Sequence, residues 1–142
     1  MTLYSFFQHL HSGFRYIVLV LVVVAILGAF IGWIGQKPYT GANRKLNLFA
    51  MISVHTQLLI GIILYFLSPL VQFSKEAMHD KHLRYFTVEH WVMMLVAIAL
   101  ITIGHSKSKK AALAEGKHKA VAIFYFLGFI IILAGIILIP RG

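Results

Sequence analysis

Four apolar runs, each long enough to cross a bilayer, decide most of what this chain can become. They extend roughly over residues 10–34, 46–70, 85–104 and 120–139. A helix rises 1.5 Å per residue, so about 20 apolar residues match a hydrocarbon core of about 30 Å. Of the 142 residues, 60% are hydrophobic and only 12% charged, about half the charged fraction of a soluble domain. That much apolar surface cannot be hidden inside one small water-soluble fold, so the chain is expected to reside in a lipid bilayer. In lipid an open strand would leave its backbone unbonded, so the β-branched first and fourth runs read as helices. The first run reads as a retained helix. No basic stretch precedes it, it exceeds the length of a signal core, and no small-x-small site follows. Pro69 and Pro140 close the second and fourth runs, and Trp33, Tyr65, Tyr85 and Trp91 lie near run ends, where amphipathic rings are favoured. Short connections predict an all-α, up-down-up-down four-helix bundle in the membrane, one domain over residues 1–142.

The charges fix an expected orientation. The first connection carries Lys37, Arg44 and Lys45, and the third carries Lys107, Lys109, Lys110, Lys117 and Lys119. The second has Lys75, Lys81 and Arg84 with Glu76 and Asp80. The positive-inside bias puts connections one and three in the cytoplasm, and both termini outside. The formal charge of +9 sits in clusters between apolar runs, so nucleic acid is not an expected partner. The absence of cysteine excludes disulfides, thiolate metal ligands and cysteine nucleophiles. No serine has a histidine and an acid at matching depth, and the stretch from Ser106 to Lys110 lacks the glycines of a phosphate loop. An enzyme working by covalent nucleophilic catalysis is therefore not expected. Gly28, Gly32 and Gly35 would let helices approach closely, within the chain or between copies.

Eight histidines stand in this apolar background. His79 and His82 fall in the second connection and His9 near the outer interface, while His105 and His118 flank the basic third connection, where lipid headgroups would meet them. His11, His55 and His90 differ, because they lie at or within spans beside Arg15, Gln57 and Glu89. Ionisable groups at that depth are costly and normally face the bundle interior with a partner. One reading has the imidazoles bonding across helices to hydroxyls or carbonyls. The other is a binding site, and imidazoles from facing helices of a bundle suit haem iron.

Arg15 shares a face with His11 and could neutralise a propionate. The small Ala97, on the His90 face, would leave room for a flat ring, and Met94 on that face reads as packing. His90 lies about 9 Å along its helix from Arg84, and His55 about 15 Å from Lys45. By height, His11 and His90 are the better-matched pair, on diagonal helices, with His55 about two turns too deep to share an iron with His11. They also open the two hairpins of a weak internal repeat. Glu89 is about 100° around from His90; it would pair with Arg15 or pass protons to a quinone. A non-haem copper, zinc or iron site on His11, His55, His90 and Glu89 is the alternative chemistry.

Three segments carry a family resemblance: His11-Ser-Gly-Phe-Arg15-Tyr16, His55-Thr-Gln57-Leu-Leu-Ile-Gly61, and Val88-Glu89-His90-Trp-Val-Met-Met, completed by Ile101-Thr-Ile-Gly104-His-Ser-Lys107. With these the chain resembles small bacterial four-span membrane proteins described as cytochrome b-like. It is more distantly similar to one half of haem A synthase, although Glu89 and His90 are adjacent here rather than at that enzyme's Glu-x-x-His spacing. The resemblance implies haem b and electron transfer in the bacterial inner membrane; quinol is one electron partner open to such a cytochrome. It implies His11, His55 and His90 as ligand candidates, with Arg15, Gln57 and Glu89 around them. The alternative function is a non-catalytic accessory subunit of a membrane respiratory complex, whose histidines would only bridge helices.

Overall fold

The computed structural model describes residues 2–68 and 79–138. Pro69, Leu70, Lys75, Glu76, Ile139 and Pro140 lie outside the described residues, as does the side chain of His82. Among the described residues the chain is helical, with no strand. Helix α1 is Leu3–Ile34 and α2 is Gly41–Leu67. A short α3 (Lys81–Arg84) passes through a π-helical turn (Tyr85–Glu89) into α4 (His90–Lys110), and α5 is Ala114–Ile137. The helices α1, α2, α4 and α5 are each long and apolar enough to cross a membrane, and the protein is a four-helix membrane bundle.

Local chemistry explains the ends. Thr2 caps α1 by accepting from the Ser5 N–H at 3.0 Å, so the helix starts one to two turns before the apolar run does. Thr40 caps α2 reciprocally with Asn43: the Asn43 N–H donates to Thr40 Oγ1 at 3.2 Å and the Thr40 N–H to Asn43 Oδ1 at 2.9 Å. Between these helices the Gly35 N–H closes onto the Ile31 carbonyl at 2.9 Å, and a Cβ on Gly35 would stand 2.6 Å from that oxygen. Gln36 takes a left-handed φ of 52° to complete the turn.

Packing sets the neighbours. Helix α1 lies against α2 and α5, α4 lies against α5, and α2 meets α4 more loosely, so α1 and α4 are diagonal. The core joins Val18, Val22, Ala25 and Ala29 of α1 to Ala50 and Val54 of α2, Ala97 and Ile101 of α4, and Val121 and Tyr125 of α5. Large apolar side chains such as Val20, Leu59 and Phe66 stay on the outside, as expected where lipid is the solvent. Without a hydrophobic drive between helices, small residues provide the close fit. Gly128 receives Ile101 and the Ala97 carbonyl, and Gly135 receives Met94. This corrects the expectation for Ala97: it leaves no slot for a ring, because it is fully buried where α4 crosses α5. Met94 serves in packing.

Candidate functional site

The π turn at the start of the third span shapes one end of the bundle. Its bonding runs from each N–H to the carbonyl five residues back, and the His90 N–H meets the Tyr85 carbonyl. Residues five apart therefore come nearly above one another. Tyr85 and His90 lie with ring centres 5.6 Å apart, and Tyr85 Oη is 3.4 Å from His90 Nδ1. The Tyr85 hydroxyl donates its proton to the Gly135 carbonyl on α5. Only acceptor capacity is then left on that oxygen, so the contact with His90 calls for the proton on Nδ1.

Opposite His90 stands His11. The two rings are 6.3 Å apart between centres, with their planes at 82°. They come from α4 and α1, the diagonal pair. Gln57 of α2 ties the third element in, donating from Nε2 to the His11 carbonyl at 2.8 Å. Gly61, one helical turn further along α2, leaves room for the His11 ring: a Cβ there would sit 3.4 Å from His11 Cε1. His11 Nδ1 and Gln57 Oε1 are buried and have no hydrogen-bond partner among the described residues. Buried polar atoms are rarely left so.

Three of the other residues predicted for this site point elsewhere. His55 is exposed on the bundle surface and bonds through Nε2 to Thr102 Oγ1 of α4 at 2.9 Å. The Thr102 hydroxyl gives its own proton to the Ile98 carbonyl at 2.7 Å, so His55 is the donor. This is the helix-bridging role. Glu89 pairs with Arg84, not with Arg15, at 2.8 Å, and both side chains are nearly half exposed. Arg15 lies over the neighbouring Tyr16 ring at 5.1 Å and donates to its hydroxyl at 3.2 Å.

The opposite, lysine-rich end holds polar residues that the sequence reading placed at the lipid surface. His118 is 1% exposed and His105 7%. His118 Nε2 faces the Pro38 carbonyl at 3.2 Å, so it carries the proton, and the ring packs edge-on to Tyr39 at 5.1 Å. It also lies on Gly32, where a Cβ would be 2.4–2.5 Å from three ring atoms. Nearby, Tyr125 donates to the Asn47 carbonyl at 2.8 Å and Asn47 Nδ2 donates to the Tyr39 hydroxyl at 2.9 Å. The available signal was spacing: Gly28 and Gly32 form one small-residue strip on α1, and a strip of that kind calls for a bulky partner.

Among the described residues no group of three or more His, Cys, Asp or Glu side chains comes together to hold a metal ion. A multi-ligand non-haem site on His11, His55, His90 and Glu89 has no such cluster behind it. Fold and site together define a polytopic α-helical membrane protein with two histidine rings facing each other across diagonal helices. Family models, characterised proteins and solved structures give no match to the chain.

Proposed function

We propose that the protein is a membrane-bound b-type cytochrome that holds haem b between His11 and His90 and transfers electrons. The observation that carries this reading is the separation of the two rings, 6.3 Å between centres across the bundle. Two imidazoles on opposite sides of one metal, with bonds of about 2 Å, have ring centres about 6 Å apart. Bound there, haem would supply the one-electron redox chemistry. The chain's own residues supply the rest. Tyr85, anchored on Gly135, favours the His90 tautomer whose Nε2 carries the lone pair. Gly61 keeps space beside His11. Arg15, four residues from His11, is the nearest cation in sequence for a propionate, and it would leave Tyr16 to reach one. Gln57 keeps a buried acceptor close to His11, whose carbonyl its Nε2 already meets. His55 is the weakest of the ligand candidates, because its Nε2 proton is engaged by Thr102.

The family resemblance supports a location in the bacterial inner membrane, and the lysine clusters support an orientation with the first and third connections cytoplasmic, so the histidine pair would lie toward the outer leaflet. Quinol is the proposed electron partner, since a lipid-soluble carrier can reach a site between membrane helices. The reading is tested by the dithionite-reduced minus oxidised spectrum of detergent-purified protein made with adequate haem supply. The expected result is a sharp Soret band with resolved α and β bands, lost in His11→Ala and His90→Ala and retained in His55→Ala. A featureless spectrum from folded protein would sink the cytochrome reading and leave an accessory subunit of a membrane complex.

A further inference from the structure

The lysine-rich end carries a second feature, independent of the haem reading. An open cleft of about 480 Å³ lies between the last turn of α4 and the first turns of α5. Lys107, Lys110 and Lys119 line it, and its apolar part is formed by Ala120, Ile123 and Phe124. Phe124 is seated against Gly104, where a Cβ would be 2.5 Å from Phe124 Cβ, so the apolar floor is held in place. Lys107 Nζ lies 5.9 Å from the Phe124 ring centre and Lys119 Nζ 5.8 Å from that of Trp33. Neither contact is an ion pair, and Glu115 does not line the cleft. Lys117 behaves differently: its ammonium donates to the Ser108 and Lys109 carbonyls at 3.1 and 3.3 Å, closing the end of α4.

We infer that this cleft is a binding site for an anionic phospholipid, with the phosphate among Lys107, Lys110 and Lys119 and an acyl chain over Ile123 and Phe124. Charge complementarity and the apolar floor argue together. A purely electrostatic surface would attract any anion and needs no floor, while lipid-facing helix alone would take any lipid and needs no three cations. Basic pockets between membrane helices at the headgroup level are suited to such lipids. The helix dipole of α4 also favours lysines in its last turn, but that accounts equally for Lys109, which lies outside the cleft.

Lys109 therefore gives the control. Native mass spectrometry of the detergent-solubilised full chain, titrated with phosphatidylglycerol or phosphatidylcholine, reads the affinity for one bound lipid. The expected result is preferential retention of one phosphatidylglycerol. Lys107→Gln, Lys110→Gln and Lys119→Gln should each weaken it about fivefold, and Lys109→Gln, with the same charge change, should leave it within twofold. Equal affinity for the two lipids overturns the site. An equal loss in Lys109→Gln reduces it to diffuse attraction by a basic surface. Displacement of the lipid by millimolar inorganic phosphate would assign the cleft to a free anion instead.

Discussion

The two ends of the bundle each place a histidine ring against a glycine, and the fits differ. At the lysine-rich end the His118 ring lies directly on Gly32, bonds to the Pro38 carbonyl and abuts Tyr39. At the other end His11 meets Gly61 at ordinary contact distance, and the next ring across is His90. Among the described residues, unbonded polar atoms occur at both ends, since Nδ1 of His105 and His118 also lacks a partner. What separates the ends is how closely the ring is enclosed. His118 is wedged among three elements and fastens the first connection to α5. His11 has Gly61 at ordinary contact distance and the His90 ring 6.3 Å away between centres. A buried histidine in a membrane helix can thus be wedged onto a glycine or meet it at ordinary distance, and His118 and His11 are the two cases.

The same substitution at both glycines should expose this contrast most strongly. Gly32→Ala inserts a methyl into the His118 ring, which cannot recede without losing Pro38 and Tyr39. Overpacking of this kind costs about 1–3 kcal/mol, to be read as a lower midpoint of SDS-induced unfolding. Gly61→Ala places its methyl at ordinary contact distance from the His11 ring and should cost less than about 0.5 kcal/mol. It should instead lower haem occupancy, read from the Soret band. Equal destabilisation at the two sites would remove the distinction.

The lysine-rich end should also depend on its buried hydrogen bonds. Tyr125→Phe removes the donor to the Asn47 carbonyl in a fully buried setting and should cost about 1 kcal/mol, with no change in haem content. A change in the spectrum without a change in stability would mean that the two ends communicate.

The span count and the bundle were legible because apolar length is set by bilayer thickness and needs no knowledge of neighbours. The pairing of height between His11 and His90 followed from helical rise alone, and the structure brings those rings together. The rest depended on features without a local signature. The π turn from Tyr85 to Glu89 changes which residues share a face, and nothing in the residues Tyr-Phe-Thr-Val-Glu announces it. It is what brings Tyr85 onto His90. The role of Ala97 turned on which neighbour its face meets, and α5, not a pocket, lies there. His118 looked interfacial because lysines flank it, but Lys117 and Lys119 point to carbonyls and a ring on either side while His118 faces inward.

At mid-depth, Thr102→Val removes the partner of His55 while conserving shape. Cross-helix hydrogen bonds in membranes average about 0.6 kcal/mol, and this one helps hold the loose α2–α4 seam. Stability should fall by about that amount, and the haem spectrum should be unchanged. A shifted spectrum would bring His55 back as a ligand.

The smallest effect should come from the ion pair beside His90, and it separates the two partners open to Glu89. The Arg84–Glu89 pair is nearly half exposed on both sides, so screening limits it to about 0–1 kcal/mol. A double-mutant cycle with Arg84→Gln and Glu89→Gln should give a coupling of about 0.5 kcal/mol that declines with added salt. The parallel cycle with Arg15→Gln and Glu89→Gln should give none, because Arg15 rests on Tyr16. The reverse pattern would turn Glu89 toward the histidine pocket, where its carboxylate would stand beside His90 and could exchange protons with a bound quinol. The observed pairing instead directs Glu89 along the outside of the π turn, where it steadies the backbone that carries Tyr85 and His90.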